Sequence, residues 1–292
     1  MSLNLLTSVV ESKWAIQERS LEAILEIVQD HKAMFDRGTF HGAVDPMQAA
    51  IGTIGSRMDG TQFSTKSGKT GILHIDGPII PRSVNTPSAG PSASLESFSK
   101  ELRAMDEDPQ ISNIVLSFDT PGGIVTGVSE FADMVKSLET PTTGFVYGYA
   151  ASAGYWIASA VDKLYMSKTA EVGSIGTVAI YEDKSEAEAK RGVKRFELVS
   201  NLSPNKRLGP DTTEGKAATI KILDDITSLF VEDVAAGRGV TSEEVMSKFG
   251  QGSMFIGQEA VNLGMADGIT TLQSLVASLN YTQSHTNAEG LM

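Results

Sequence analysis

The chain has no cysteine among its 292 residues, which excludes disulfides, thiolate zinc sites and a cysteine nucleophile together. Histidine is scarce: His31, His41, His74 and His285 are scattered and share no metal-ligand spacing, so neither a metal nor a cofactor is expected. No run approaches the ~20 consecutive apolar residues that cross a bilayer. The opening Met1-Ser2-Leu3-Asn4-Leu5-Leu6 also lacks a basic region ahead of an apolar one. The expectation is a chain without a membrane anchor that stays where it is made, in the cytoplasm. Basic residues are outnumbered, 24 against 36, for a net charge of −12. A surface of that sign argues for solubility and against a partner bound through nucleic-acid phosphates.

What is present is a 41% hydrophobic composition, enough to bury one large α/β core with extensions. Over residues 10–34, Trp14, Leu21, Ile24, Leu25 and Val28 are spaced for one face of an amphipathic helix. Residues 36–70 turn rich in Gly, Thr and Ser around a short helical candidate at Asp45–Ile54, so 1–68 reads as a helical N-terminal extension. From Gly71 short apolar runs alternate with helical patterns, as in βα units that build a mostly parallel sheet. Strands are expected at Gly71–Asp76, Ile111–Phe118, Thr143–Tyr147, Lys163–Ser167, Ile175–Tyr181 and Phe196–Val199. Helices are expected at Ser94–Asp106, Val125–Leu138, Ser152–Val161 and Thr213–Ala236, with Arg82–Ser92 a loop. The main domain then spans 69–270, and 271–292, ending in Ser, Thr, Asn and Gly, should fray.

One serine stands among small residues in Gly148-Tyr149-Ala150-Ala151-Ser152-Ala153-Gly154. A strand, a tight turn and a helix there would set Ser152 at a helix N-terminus, where free N–H groups favour developing negative charge. The plain alternative is a helix N-cap serine. Asp119-Thr120-Pro121-Gly122-Gly123 follows a buried strand and precedes a helix, so its glycines lie at the carboxyl edge where α/β sheets bind ligands. The N–H of Gly122 or Gly123, with that of Ala153, could then donate to a tetrahedral oxyanion; the plain alternative is a strand-to-helix turn. A serine hydroxyl needs a base, and a lysine serves only when burial or positive neighbours keep it neutral. Lys206, in Leu202-Ser203-Pro204-Asn205-Lys206-Arg207-Leu208-Gly209-Pro210, is the candidate if its loop points inward. A Ser/His/Asp triad drawing on His74 and Asp119 is the rival, although His74 sits in the alternating run Ile72-Leu73-His74-Ile75-Asp76 of a half-buried strand.

Taken with Ala160-Val161-Asp162-Lys163 and Gly173-Ser174-Ile175-Gly176, these motifs resemble the signal peptide peptidase A family over roughly residues 70–270, above all its phage and prophage branch of minor capsid and prohead proteases. The resemblance implies an α/β, Clp/crotonase-like fold of repeated ββα units and a Ser/Lys dyad. Ser152 matches the nucleophile, Lys206 the general base, Ser174 a serine that holds the lysine amine, and Gly123 and Ala153 the oxyanion hole. The usual Ser-Gly-Gly is Ser152-Ala153-Gly154 here, which keeps the N–H. It further implies a serine endopeptidase assembled as a homo-oligomeric ring, acting on scaffold, portal or capsid proteins inside a procapsid. The alternatives are a cytoplasmic peptidase of signal peptides or oligopeptides, a silent structural head component, and an acyl-CoA enzyme of the crotonase type, which needs no Ser152 with Lys206.

Overall fold

The computed structural model describes residues 14–16, 56–58, 61, 63–82, 85–86, 90–91, 94–181, 183, 185–194 and 196–289. In chain order the strands are β1 (Trp14–Ile16), β2 (Ser56–Arg57), β3 (Ser64–Ser67), β4 (Thr70–Asp76), β5 (Asn85–Thr86), β6 (Gly90–Pro91), β7 (Asn113–Thr120), β8 (Gly122–Ile124), β9 (Thr142–Ala151), β10 (Lys163–Met166), β11 (Glu171–Gly173), β12 (Met254–Ile256) and β13 (Gly268–Ile269). The helices are α1 (Leu95–Asp106), α2 (Val128–Lys136), α3 (Ala153–Ala158), α4 (Ser185–Lys190), α5 (Thr213–Arg238), α6 (Ser242–Lys248), α7 (Gly257–Leu263) and α8 (Leu272–Glu289).

One nine-stranded sheet runs β12-β11-β9-β7-β4-β3-β2, with β10 between β9 and β13. Its centre is parallel: β4 pairs with β7, β7 with β9, and β9 with both β10 and β11. The antiparallel β2, β3 and β12 close its edges. This is the mixed α/β, mostly parallel architecture expected. Apolar residues on both faces of β4 and β7 require cover on both sides. On one face α1 contributes Leu95, Phe98, Leu102 and Met105, and α2 contributes Val128, Phe131 and Val135, to a core with Leu73, Ile75, Leu116 and Phe118. On the other, Leu275 and Val276 of α8 pack on Ile72, Val115 and Phe145.

Several expectations need correction. Trp14–Ile16 is a strand paired with β8 and not a helical turn; the rest of the 10–34 helix and the Asp45–Ile54 candidate lie outside the described residues. β3 belongs to the main sheet, so the domain begins before residue 69. Asn85–Thr86 and Gly90–Pro91 pair antiparallel inside the expected Arg82–Ser92 loop. Residues 272–289 form α8 instead of fraying, because Leu272, Leu275, Val276 and Leu279 recur at helical spacing and meet the sheet. Neither Ile175–Tyr181 nor Phe196–Val199 forms a strand. Phe196, Leu198 and Leu202 are 87%, 97% and 96% exposed, so nothing among the described residues supplies a sheet partner or a core for them. The sequence marks α5 correctly, yet only its second half, with Phe230, Val231, Val234 and Ala235, enters the core, while Ile220, Ile222 and Leu229 remain exposed.

His74 and Asp76 share one face of β4 and carry opposite pH signatures. Burial raises the Asp76 carboxyl from 3.8 to about 6, a Tyr147 hydrogen bond works against this, and the Asp119 charge adds to it. Its stabilising contribution is therefore complete below pH 3.8 and is lost as pH rises through about 6. Burial lowers His74 from 6.5 to about 4, so its contribution is complete above pH 6.5 and lost as pH falls through about 4. Asp76→Asn, which keeps an acceptor for the Tyr147 hydroxyl at 3.0 Å, is expected to add roughly 2 kcal/mol of stability at about pH 8 and almost none at about pH 4. Urea midpoints at the two pH values check this; an equal effect at both would contradict it.

Candidate active site

Ser152 joins β9 to α3 at the carboxyl end of the parallel strands. Its backbone has φ 53° and ψ −117°, a left-handed conformation that a non-glycine residue adopts only when its surroundings enforce it, commonly at functional sites. The surroundings do enforce it: the Ser152 N–H donates to the Gly173 carbonyl at 2.7 Å, and the Ser152 carbonyl accepts from the Trp156 N–H at 2.9 Å. The side chain makes no capping bond to the helix, so the N-cap reading fails. Instead Oγ lies 3.4 Å from the Gly176 carbonyl oxygen, a long contact that leaves the hydroxyl available.

α3 is buried along its whole length, and three anchors fix it. Trp156 stacks on Phe230 with centroids 4.4 Å apart and planes 6° from parallel. Its indole N–H donates to Asp233 Oδ2 at 2.7 Å, and the Tyr155 hydroxyl donates to the Met265 carbonyl at 2.9 Å. The Asp162 carboxylate accepts from the N–H and hydroxyl of Thr142 at 2.8 and 3.0 Å, tying the chain after α3 to the start of β9. The Asp233 anchor escaped sequence reasoning; its signal was an acid beside Phe230 and Val234 on a helix that otherwise reads as apolar there.

Beside Ser152 runs β8. Thr120 pairs with Ala150, and a Cβ added at Gly154 would strike the Thr120 side chain, so the chain from Thr120 to Gly123 lies against the serine turn. Gly122, at φ 97°, already donates its N–H to Thr120 Oγ1 at 3.2 Å. Gly123 has no room for a side chain: an added Cβ would collide with the backbone carbonyl of Ile79. Between the two glycines, Gly123 thus has the N–H free of this internal bond. Ala153 opens α3, so its N–H has no partner within the helix. Ser174, also in a left-handed conformation at φ 55°, follows the Gly173 that holds Ser152, and its own N–H donates to the Ser253 carbonyl at 2.8 Å. Ser152, Ser174, Gly122, Gly123 and Ala153 therefore gather at one end of β9, β11 and β8.

Lys206 is not buried with them. It lies in a 3-10 turn, Pro204–Arg207, and is exposed, as the neighbouring Arg207 is, with its Nε 2.9 Å from Glu197. The condition set for Lys206, an inward-pointing loop, is not met among the described residues, where the turn is exposed. The rival triad does not assemble either. His74 Nε2 is 3.2 Å from Thr65 Oγ1, and Asp119 accepts from the Tyr149 N–H at 3.1 Å, burial raising its carboxyl above the usual range. Among the described residues no cluster of three or more His, Asp or Glu could hold a metal, and no helix is long and apolar enough to cross a membrane.

Comparison with known proteins agrees with this geometry. The family model for Clp protease matches residues 82–172, the stretch that carries β7, β8 and the serine turn. The chain is 26% identical over 206 residues to capsid assembly protease C of Escherichia phage lambda, covering 67% of this chain and 45% of that protein. It is 23% identical over 219 residues to protease 4 of Haemophilus influenzae, covering 71% and 34%. It is 25% identical over 190 residues to head-tail preconnector protein GP5 of Enterobacteria phage P21, covering 63% and 37%. The matched part thus corresponds to less than half the length of each of these relatives. The model for peptidase family S49 matches residues 135–285, more than half of the chain and the part that holds the serine turn, the Gly173–Gly176 segment and α5. The chain belongs to peptidase family S49.

Proposed function

We propose that the protein is a serine endopeptidase in which Ser152 is the nucleophile and Lys206 the general base, and that it processes head proteins of a phage or prophage. The observation that carries the first part is the strained Ser152, whose hydroxyl does not cap its helix and instead makes only a long contact, 3.4 Å, to the Gly176 carbonyl. Attack of Ser152 Oγ on a peptide carbonyl would form a C–O bond as the proton passes to a neutral lysine amine. The N–H groups of Gly123 and Ala153 would hold the resulting oxyanion, a contribution of ~3 kcal/mol per donor. The amine would return its proton to the leaving nitrogen, and water would release the acyl group. Ser174, beside Gly173, is the group suited to orient that amine.

Lys206 reaches such a position only if its segment is packed against something. Phe196, Leu198 and Leu202 on one side and Ile220, Ile222 and Leu229 of α5 on the other are exposed apolar residues, of the kind that marks an assembly surface. A second copy of the chain is the occupant that would also enclose the site, consistent with a ring. The names of the phage lambda and phage P21 relatives support capsid-protein substrates and action within a procapsid. Protease 4 supports a second reading, a bacterial peptidase, for which signal peptides and oligopeptides are the substrates to try.

The dyad is tested with Lys206→Ala and Lys206→Arg on casein and on a co-expressed scaffold or portal protein. Both variants are expected to lose ~10²–10⁴ of the wild-type rate. Activity retained in Lys206→Ala would sink the lysine assignment. Cleavage of the head protein but not of signal-like peptides separates the two substrate readings.

A further inference from the structure

β8 has two edges, and both are occupied. Along one, the Ile79 N–H donates to the Gly122 carbonyl at 2.8 Å and the Ile124 N–H donates to the Ile79 carbonyl at 2.9 Å. Along the other lies β1, antiparallel, with Trp14 opposite Ile124, Ala15 opposite Gly123 and Ile16 opposite Gly122. Successive residues of an extended strand turn their N–H and C=O groups to opposite edges. Because Gly122 and Ile124 direct theirs at Ile79, the N–H and C=O of Gly123 are directed at Ala15. That N–H is the group a bound substrate needs for its oxyanion.

We infer that Trp14–Ile16 is a built-in competitor for the substrate-binding edge: the chain's own N-terminal segment holds, as an extended antiparallel strand, the backbone groups of Gly123 that an incoming polypeptide must engage. The inference rests on the peptidase reading, with Gly123 as oxyanion donor, and adds a means of control to it. The pairing is short, three residues against three, so it yields to a longer extended substrate; its tether supplies a high local concentration in the absence of one. Recognition through main-chain groups is insensitive to sequence, so the competing partner is an extended polypeptide segment of a protein, bound antiparallel to Gly122–Ile124.

The test uses the full chain carrying Ala15→Pro, which removes the N–H that faces the Gly123 carbonyl. Amide hydrogen exchange over Gly122–Ile124, compared in a Ser152→Ala background so that catalysis plays no part, should become several-fold faster in Ala15→Pro, with the amides of Leu73–Ile75 unchanged as proof of an intact fold. Phosphonylation of Ser152 by a fluorophosphonate, in which the serine oxygen bonds phosphorus and fluoride leaves, should speed up in parallel. If β1 holds the edge nine-tenths of the time, freeing it raises the rate about tenfold, and a synthetic peptide of residues 10–20 added in trans should lower it again. Unchanged exchange would overturn the pairing. Faster exchange with an unchanged or slower phosphonylation rate would overturn the competitor while leaving the peptidase reading intact. No phosphonylation of Ser152 in either protein would overturn that reading, and this inference with it.

Discussion

Ser152→Ala is expected to reduce peptide hydrolysis by at least ~10⁴-fold while moving the urea midpoint little. The two halves of this expectation come from different observations. The rate falls because no other described hydroxyl occupies the turn between β9 and α3, and removal of the proposed nucleophile would leave only the binding and proposed oxyanion contributions. Stability changes little because the hydroxyl's contact to the Gly176 carbonyl is a long one, 3.4 Å. The backbone strain at φ 53° is held by main-chain bonds to Gly173 and Trp156, which alanine retains. A serine conserved in the fold for packing would behave in the opposite way, losing stability and not rate. Initial rates on casein beside a urea titration distinguish them.

The second large effect is structural. Trp156→Ala is expected to cost about 3–5 kcal/mol and to disorder the Ser152 turn, because Trp156 is 2% exposed and carries α3 onto α5. It removes the stacked face on Phe230 at 4.4 Å and the donor to Asp233 at 2.7 Å. Asp233 would not be orphaned, since the Ser129 hydroxyl also donates to it at 2.7 Å. Trp156→Phe keeps an aromatic ring on Phe230 and loses only the N–H bond, so its cost should be about 1–2 kcal/mol. A Trp156→Ala variant with wild-type stability would show that α3 is held by something other than this stack. A variant that loses stability but keeps full activity would show that Ser152 is positioned without it.

The interior of this protein was legible because burial imposes a pattern. Ile111–Phe118 reads as a strand covered on both faces, and Asn113–Thr120 is one, with Ile114, Val115, Leu116 and Phe118 fully enclosed. The turn at Ser152 between strand and helix was legible because close packing there demands small residues: Gly154 meets Thr120, and Gly123 nearby meets Ile79. What misled lay where apolar residues are not buried among the described residues. Phe196 and Leu198 alternate like a strand, yet they stand exposed. For the same reason the reach of Lys206 could not be read. The three residues Trp14–Ile16 fit a helical stripe as well as a strand, and only the open edge of β8 decides between them. His74 shows how a candidate base is excluded: burial holds it near pH 4 and its neighbour is Thr65, not an acid.

Mass-spectrometric mapping of the full chain after reaction with a fluorophosphonate tests the central assignment most directly. The account predicts a single adduct on Ser152, formed with loss of peptidase activity in proportion and absent from Ser152→Ala. An adduct on another serine, Ser174 above all, or inactivation without modification of Ser152, would contradict it.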